Sequence, residues 1–406
     1  MGTERMERYA ELIVRVGANV QPGQTVYVFA DVAHLDVVRA IADSAYLAGA
    51  FRVVPVLSDD RIRLSAVRHA PMESLSAAAE WELTRVRGFD DESVALIRLT
   101  GAADPHLFDG LDPHRLAAMP VELAIEQRRA LMRGAVSWTV AAAPNPGWAE
   151  QVFGEPDVDR LWDAVAGPLR LDDPDPVASW REHHQKLADR ATALSAIGLD
   201  AVRYRGDGTD LTVGLVRGGL WTGGGLTTLA GVLTMPNLPT EEVFTSPDRN
   251  QAEGTLRLTR PLVMPRTGAY VTGLEARFDS GRIVDVRAEQ GAEAVSAELD
   301  TDEGARFLGE VSLVDADSRV RAADVVFHDT LYDENAGCHV AWGQSFPFAV
   351  PGGTSRTPEE LSEYGLNVSA VHTDVVIGGD GIDVDGLKDD GTTVPIIKDN
   401  RWVLPV

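Results

Sequence analysis

Three apolar segments within the first sixty residues set the tightest limit on what this chain can fold into. Val26-Tyr27-Val28-Phe29-Ala30 reads as a short strand, and Arg52-Val53-Val54-Pro55-Val56 as another. Between them Val37, Val38, Ile41, Ala42 and Ala45 recur at helical spacing, and the pattern stops near Gly49. Strand, helix and strand at this spacing make a βαβ unit, which requires the strands to run parallel and the crossover to be right-handed. Ahead of the unit, Tyr9, Leu12, Ile13 and Val16 mark a helix, and Gln21-Pro22-Gly23-Gln24 turns the chain. Beyond it, Ala95 to Leu99 and Val136 to Val140 read as further buried strands, with a helix near 121–132 between them. No strand is followed by Gly-x-Gly-x-x-Gly, so a dinucleotide is not expected.

A long amphipathic stretch from Pro176 to Ile197 then bridges to a region of different character. Its neighbouring His183 and His184 are expected on a solvated helix face. From Leu199 the pattern changes to strands, at 201–204 and 211–215. A hairpin follows, running from Tyr270 to Phe278, turning at Asp279-Ser280-Gly281 and returning over Arg282 to Arg287. Thr357-Pro358-Glu359-Glu360 opens a short capped helix. The expected architecture is an α/β domain with a Rossmann-like parallel sheet over 1–190. A mostly β (α+β) domain follows over 191–406.

Composition narrows the class of function. The 406 residues carry 62 Asp and Glu against 37 Lys and Arg, a net charge of −25. That field repels phosphate backbones, so no nucleic-acid partner is expected. No apolar run reaches the ~20 residues needed to cross a bilayer, so no membrane partner is expected either. Met1 to Arg5 begins an amphipathic stretch rather than a signal peptide. The single cysteine, Cys338, forbids an internal disulfide and fits a reducing cytoplasm, where a buried inert thiol is expected.

The chemistry concentrates in four short blocks of the second half. Glu242 follows Pro239-Thr240-Glu241, Glu310 lies in Leu308-Gly309-Glu310-Val311, Glu334 and His339 share one block, and His372 and Asp374 share another. Four carboxylates and two imidazoles are what two divalent ions need if both are to keep positions open for water and substrate. On a strand, His372 and Asp374 point to one face, so both can reach one ion. Taken alone, such a pair is more often hydrogen-bonded than metal-bound. Glu310 opens an apolar strand and needs a partner, since burying an unpaired charge is very costly; an ion or an arginine such as Arg306 would serve. Glu334 and His339 are expected in a loop of small residues just after a strand ending near Thr330. Glu241 and Glu242 face opposite sides if extended, so one binds metal while the other acts elsewhere.

The blocks NLPTEEVFT (237–245), TDEGARFLGEV (301–311), DENAGCH (333–339) and VHTD (371–374) resemble the thermophilic-type metallo-aminopeptidases, the group of aminopeptidase T, aminopeptidase S and PepS. YAELIVRVG (9–17), WREHH (180–184) and GTDLT (208–212) extend the resemblance over nearly the whole chain. It implies two divalent ions per chain, zinc, cobalt or manganese, held by Glu242, Glu310, Glu334, His339, His372 and Asp374, with Glu310 bridging. It also implies a homodimer whose N-terminal domains help enclose the active sites, and peptide substrates with a free N-terminus. The family commonly places a tyrosine seven residues after the histidine matching His339; here that residue is Phe346. Tyr332 and Tyr364 are the candidates to replace its hydroxyl.

The activity so implied is release of N-terminal amino acids by a water activated between two ions, with Glu241 as the candidate proton relay. Two other classes of function remain open on sequence. A mononuclear ferrous ring-cleaving dioxygenase, related to the 2,5-dihydroxypyridine dioxygenases, would need only His339, His372 and Asp374. A non-catalytic peptide- or metal-binding relative would account for Phe346.

Overall fold

The computed structural model describes residues 3–89 and 93–405; Met1 and Gly2, which open the leading amphipathic stretch, lie outside them. The βαβ unit forms as the spacing requires. Strands Thr25–Asp31 and Arg52–Ser58 flank the helix Leu35–Leu47 and run parallel, with Thr25 opposite Arg52 and Asp31 opposite Ser58. Val94–Thr100 and Ser137–Ala142 extend the parallel sheet on the other side. Its fifth strand, Asn237–Leu238, comes from the second half of the chain and pairs with Val140 and Ala141. Val26, Val28, Ile97 and Ala141 are fully buried in this core, where Tyr9, Trp148 and Trp162 join them.

The second half holds two large antiparallel sheets, beside two-stranded ribbons such as Leu262–Val263 with Tyr270–Val271. Eight strands, from Ala201–Gly206 to Arg401–Trp402, form the larger one. The smaller has the order His372–Val376, His339–Gly343, Leu308–Leu313, Val243–Thr245, Thr222–Gly223. Alternation along these strands separates two faces. Val311, Leu313, Val340, Trp342 and Val375 turn into a core shared with Val202, Tyr204, Leu211 and Val213 of the larger sheet. The Tyr204 hydroxyl donates to the Ser312 carbonyl at 3.1 Å across that core. The opposite face carries the chemistry.

The fold class expected from sequence is therefore present: a parallel sheet with helices, then mostly antiparallel sheets. Two local expectations give way. The first arm of the hairpin is interrupted, because Tyr270–Val271 pairs with Leu262–Val263 while only Glu275–Asp279 pairs with Arg282–Arg287. The segment before Thr330 forms no strand: residues 323–329 are turn and irregular backbone between the helices Arg319–Ala322 and Thr330–Asp333, which Ser318 and Asp329 cap by accepting from the Arg321 and Leu331 amides.

Candidate metal centre

Cross-strand register collects the ligand candidates on one face. Glu310 stands opposite Ala341, which stands opposite Asp374; Ser312 stands opposite His339; Gly343 stands opposite His372. Residues directly opposite share a face. The small Ala341 and Gly343 leave open space between the acidic and imidazole side chains. Glu242 arrives from just ahead of the strand Val243–Thr245, and its carboxylate accepts from the Ser312 hydroxyl at 2.7 Å.

Two triads result. Donor atoms of Glu242, Glu310 and His339 lie within 4.8 Å of one another, as do those of Glu310, His372 and Asp374. Glu310 belongs to both. His339 Nε2 is 2.9 Å from Glu242 and 3.9 Å from Glu310, while His372 Nε2 is 3.2 Å from Glu310 and 3.6 Å from Asp374. The other ring nitrogens are engaged: Nδ1 of His339 faces the Gly337 carbonyl at 3.2 Å, and Nδ1 of His372 the Gln344 carbonyl at 2.8 Å. Such bonds fix each ring with Nε2 toward the acids. Glu334 completes the group from the helical turn Glu334–Ala336, accepting from Asn237 Nδ2 at 3.2 Å and lying in hydrogen-bond contact with Asp374.

All six line one cavity of about 280 Å³. Trp138, Val140, Leu226, Pro236, Phe244, Phe346 and Phe348 form its apolar walls, so the parallel sheet and the antiparallel sheet both contribute. Among the described lining residues there is no Lys or Arg. Buried carboxylates without cationic side chains must hold protons or cations. Burial pushes Glu310 up to about 7, against the hydrogen bond from His372 and with help from the charges of Glu242 and Asp374. Glu334 is held well above the usual range by burial and by Asp374, Glu242 and Glu310. Burial alone would lower His339, but its hydrogen bond to Glu242 and the surrounding acids bring it up to about 9. The same balance, led by Asp374, brings His372 up to about 10. Hard oxygen donors with two imidazoles, short of positive charge, suit divalent cations.

Other sequence candidates fall as follows. Arg306 does not reach Glu310; it pairs with Asp300 at 2.6 Å. Cys338 is fully buried, and burial pushes its thiol up to about 12, as an inert thiol requires. Phe346 stacks on Phe348 at 5.1 Å and lies 4.9 Å from the His372 ring. Neither Tyr332 nor Tyr364 replaces the missing hydroxyl at the cavity: Tyr332 packs with Trp148 and Phe327 in the other core, and Tyr364 bonds Arg356 at the surface. The proton relay expected of Glu241 requires its carboxylate in the cavity. The structure instead ties it to Arg170 at 3.1 Å and His183 at 3.2 Å. His183 is thus buried, not on a solvated face, because its turn of the helix Pro176–Ile197 packs on the 240–241 segment. Arg170 carried no sequence signal of its own; WREHH was the one hint for His183.

Comparison with known proteins identifies the family and the fold. The family described as thermophilic metalloprotease (M29) matches residues 2–402. Aminopeptidase T of Thermus aquaticus is 41% identical over 409 residues, covering 99% of each chain. The solved structure of wild-type AmpT from Thermus thermophilus superposes with a TM-score of 0.88 at 39% identity, over 98% of this chain and 99% of that one. The 2,5-dihydroxypyridine dioxygenase from Pseudomonas putida matches with a TM-score of 0.50 at 12% identity, over 99% of this chain and 97% of that one, a likeness of fold alone. With a family match spanning nearly its whole length, the chain belongs to the thermophilic metalloproteases (M29) and is a peptide-bond hydrolase.

Proposed function

We propose that the protein is a metal-dependent aminopeptidase that releases N-terminal amino acids from peptides, with two divalent ions (zinc, cobalt or manganese) per chain. The observation that carries this reading is Glu310, shared by two triads of donors on one face of one sheet. Glu242, His339 and Glu310 would hold one ion; Glu310, His372 and Asp374 the other, with Glu334 beside Asp374 as a further ligand. Bound there, such ions supply a nucleophilic water at neutral pH and polarise the scissile carbonyl.

The chain's own groups do the rest. The carbonyls of Gly337 and Gln344 orient the two imidazoles, and Ser312 steadies Glu242. The acid-lined floor attracts a peptide's free α-amine, and Phe244, Phe346 and Phe348 give an apolar wall for its first side chain. Stripping metal with a chelator should abolish hydrolysis of leucine p-nitroanilide, and zinc, cobalt or manganese should restore it with two ions bound per chain. One bound ferrous ion, with oxygen consumed on a dihydroxypyridine, would sink the reading.

Phe346 offers a direct check on the cavity wall. Phe346→Tyr adds a hydroxyl beside His372, and kcat/KM should rise about tenfold, the worth of one hydrogen bond of about 1.4 kcal/mol. An unchanged rate would show that the wall needs no hydroxyl.

The chain divides in this reading near residue 190, with 1–190 adding Trp138 and Val140 to the cavity wall and 191–406 carrying the ligands and the rest of the wall. The working form is a homodimer in a reducing cytoplasm. Tyr46, Leu47 and Phe51 support the dimer, standing 53%, 85% and 70% exposed together at the sheet's edge. Leu47→Glu with Phe51→Glu should convert it to a monomer by light scattering; a dimer of unchanged mass would place the interface elsewhere.

A further inference from the structure

The segment leading into Glu242 is gripped from behind by groups outside the cavity. Arg170 has φ of 58°, in the left-handed region that non-glycine residues rarely adopt. Its guanidinium is buried, lies over the Trp180 ring at 4.5 Å, and donates to the Pro168 carbonyl at 3.0 Å and to Glu241 Oε1 at 3.1 Å. The Trp180 indole is itself fixed, donating to the Leu169 carbonyl at 2.9 Å. One turn further along that helix, His183 Nε2 sits 2.9 Å from the Thr240 carbonyl and 3.2 Å from Glu241 Oε2. Both neighbours are acceptors, so this nitrogen carries the proton. From a third direction Asn335 accepts from the Glu241 amide at 2.6 Å.

This grip matters because of where Glu242 stands. Glu310, His339, His372 and Asp374 sit on strands whose ladder hydrogen bonds fix them. Ladder pairing of the 243–245 strand begins only at Val243, so Glu242 lies just beyond it. Its backbone is placed by what holds residues 240 and 241.

We propose that Arg170, His183 and Glu241 are positioning residues for Glu242, a buried latch that sets the ion site of Glu242, His339 and Glu310 and leaves that of Glu310, His372 and Asp374 alone. The inference rests on the two-ion reading above. Groups that orient a metal ligand from behind typically change affinity 10–100-fold when removed. The latch therefore acts on one binding event, whereas a general structural weakening would act on both.

The test is calorimetric titration of zinc into the metal-stripped full chain. The wild type should show two events. Arg170→Met and His183→Leu should each weaken one of them about 10–100-fold and leave the other within about threefold. His183→Gln, whose amide can donate to the same acceptors, should recover most of the loss. Arg170→Met leaves the buried Glu241 without its cationic partner and can fail to fold. The double variant Arg170→Met with Glu241→Met removes both charges and should show the same one-site loss in a folded chain. Equal weakening of both events, or no change in the folded variants, would overturn the latch. If the wild type takes up a single ion, the two-ion reading fails separately. The latch is then judged on that ion: Glu242→Gln weakening it while His183→Leu does not would overturn the proposal.

Discussion

Glu310→Gln is expected to remove both ion sites together. Peptide hydrolysis should fall by at least three orders of magnitude, about 4 kcal/mol of activation free energy, because neither triad is complete without this carboxylate. Asp374→Asn touches one triad only, so the two substitutions separate a shared ligand from a private one. Bound zinc per chain, measured by mass spectrometry after gel filtration, should drop toward zero in Glu310→Gln and to about one in Asp374→Asn. Two ions retained by Glu310→Gln would show that Glu310 bridges nothing. The side chain is buried and the exchange nearly isosteric, so loss of fold is not the expected cause; thermal unfolding of the variant checks this.

The second large effect is the coupling of metal to protons. In the metal-free chain His339 is brought up to about 9 and His372 to about 10, and Glu334 is held well above its usual range. At pH 7.5 the two imidazoles carry protons that an incoming ion must displace. Binding should therefore release about two protons per chain. Titrations in buffers of different ionisation enthalpy read that number directly. Affinity should rise steeply from pH 6 to pH 9 as the competition fades, and level off above pH 10. The sign for the metal-free fold is the opposite. Imidazoles with raised values contribute stability that is complete below their unfolded value of about 6.5 and is lost as pH rises through 9 to 10. Metal-free protein should thus lose stability on the alkaline side just where the loaded protein gains affinity. Metal uptake without proton release would mean that the donors are already deprotonated and that the acidic cluster is balanced by other means.

Much of the architecture was legible because periodicity reports which faces are buried. The βαβ unit, the strands near 95–99 and 136–140 and the helices 121–132 and 176–197 all rest on apolar spacing and turn residues, and all form. The interrupted hairpin arm was not legible, since Tyr270 and Val271 suit either of two partners locally and only the neighbouring strand Leu262–Val263 selects one. The stretch before Thr330 shows a similar limit: Val325-Val326-Phe327 is apolar enough for a strand yet lies in irregular backbone between two capped helices.

The six ligand candidates could be named from the sequence because carboxylates and imidazoles in apolar strands are chemically anomalous wherever they fold. That the register sets Glu310 opposite Ala341 and Asp374, leaving open space between acids, was decided by strand pairing. The distinction between Glu241 and Glu242 was decided there too. Sequence offers two identical side chains in a row, and only the packing of Arg170 and His183 on one side and Ser312 on the other tells them apart. His183 illustrates the same point from the helix, where a polar residue looks solvated until a partner distant in sequence covers it. Which groups could do the chemistry and which segments could be buried was readable along the chain, because both are properties of residue type and local spacing. The tertiary structure alone decided which carboxylate meets the cavity, since that depends on contacts between residues far apart in the chain.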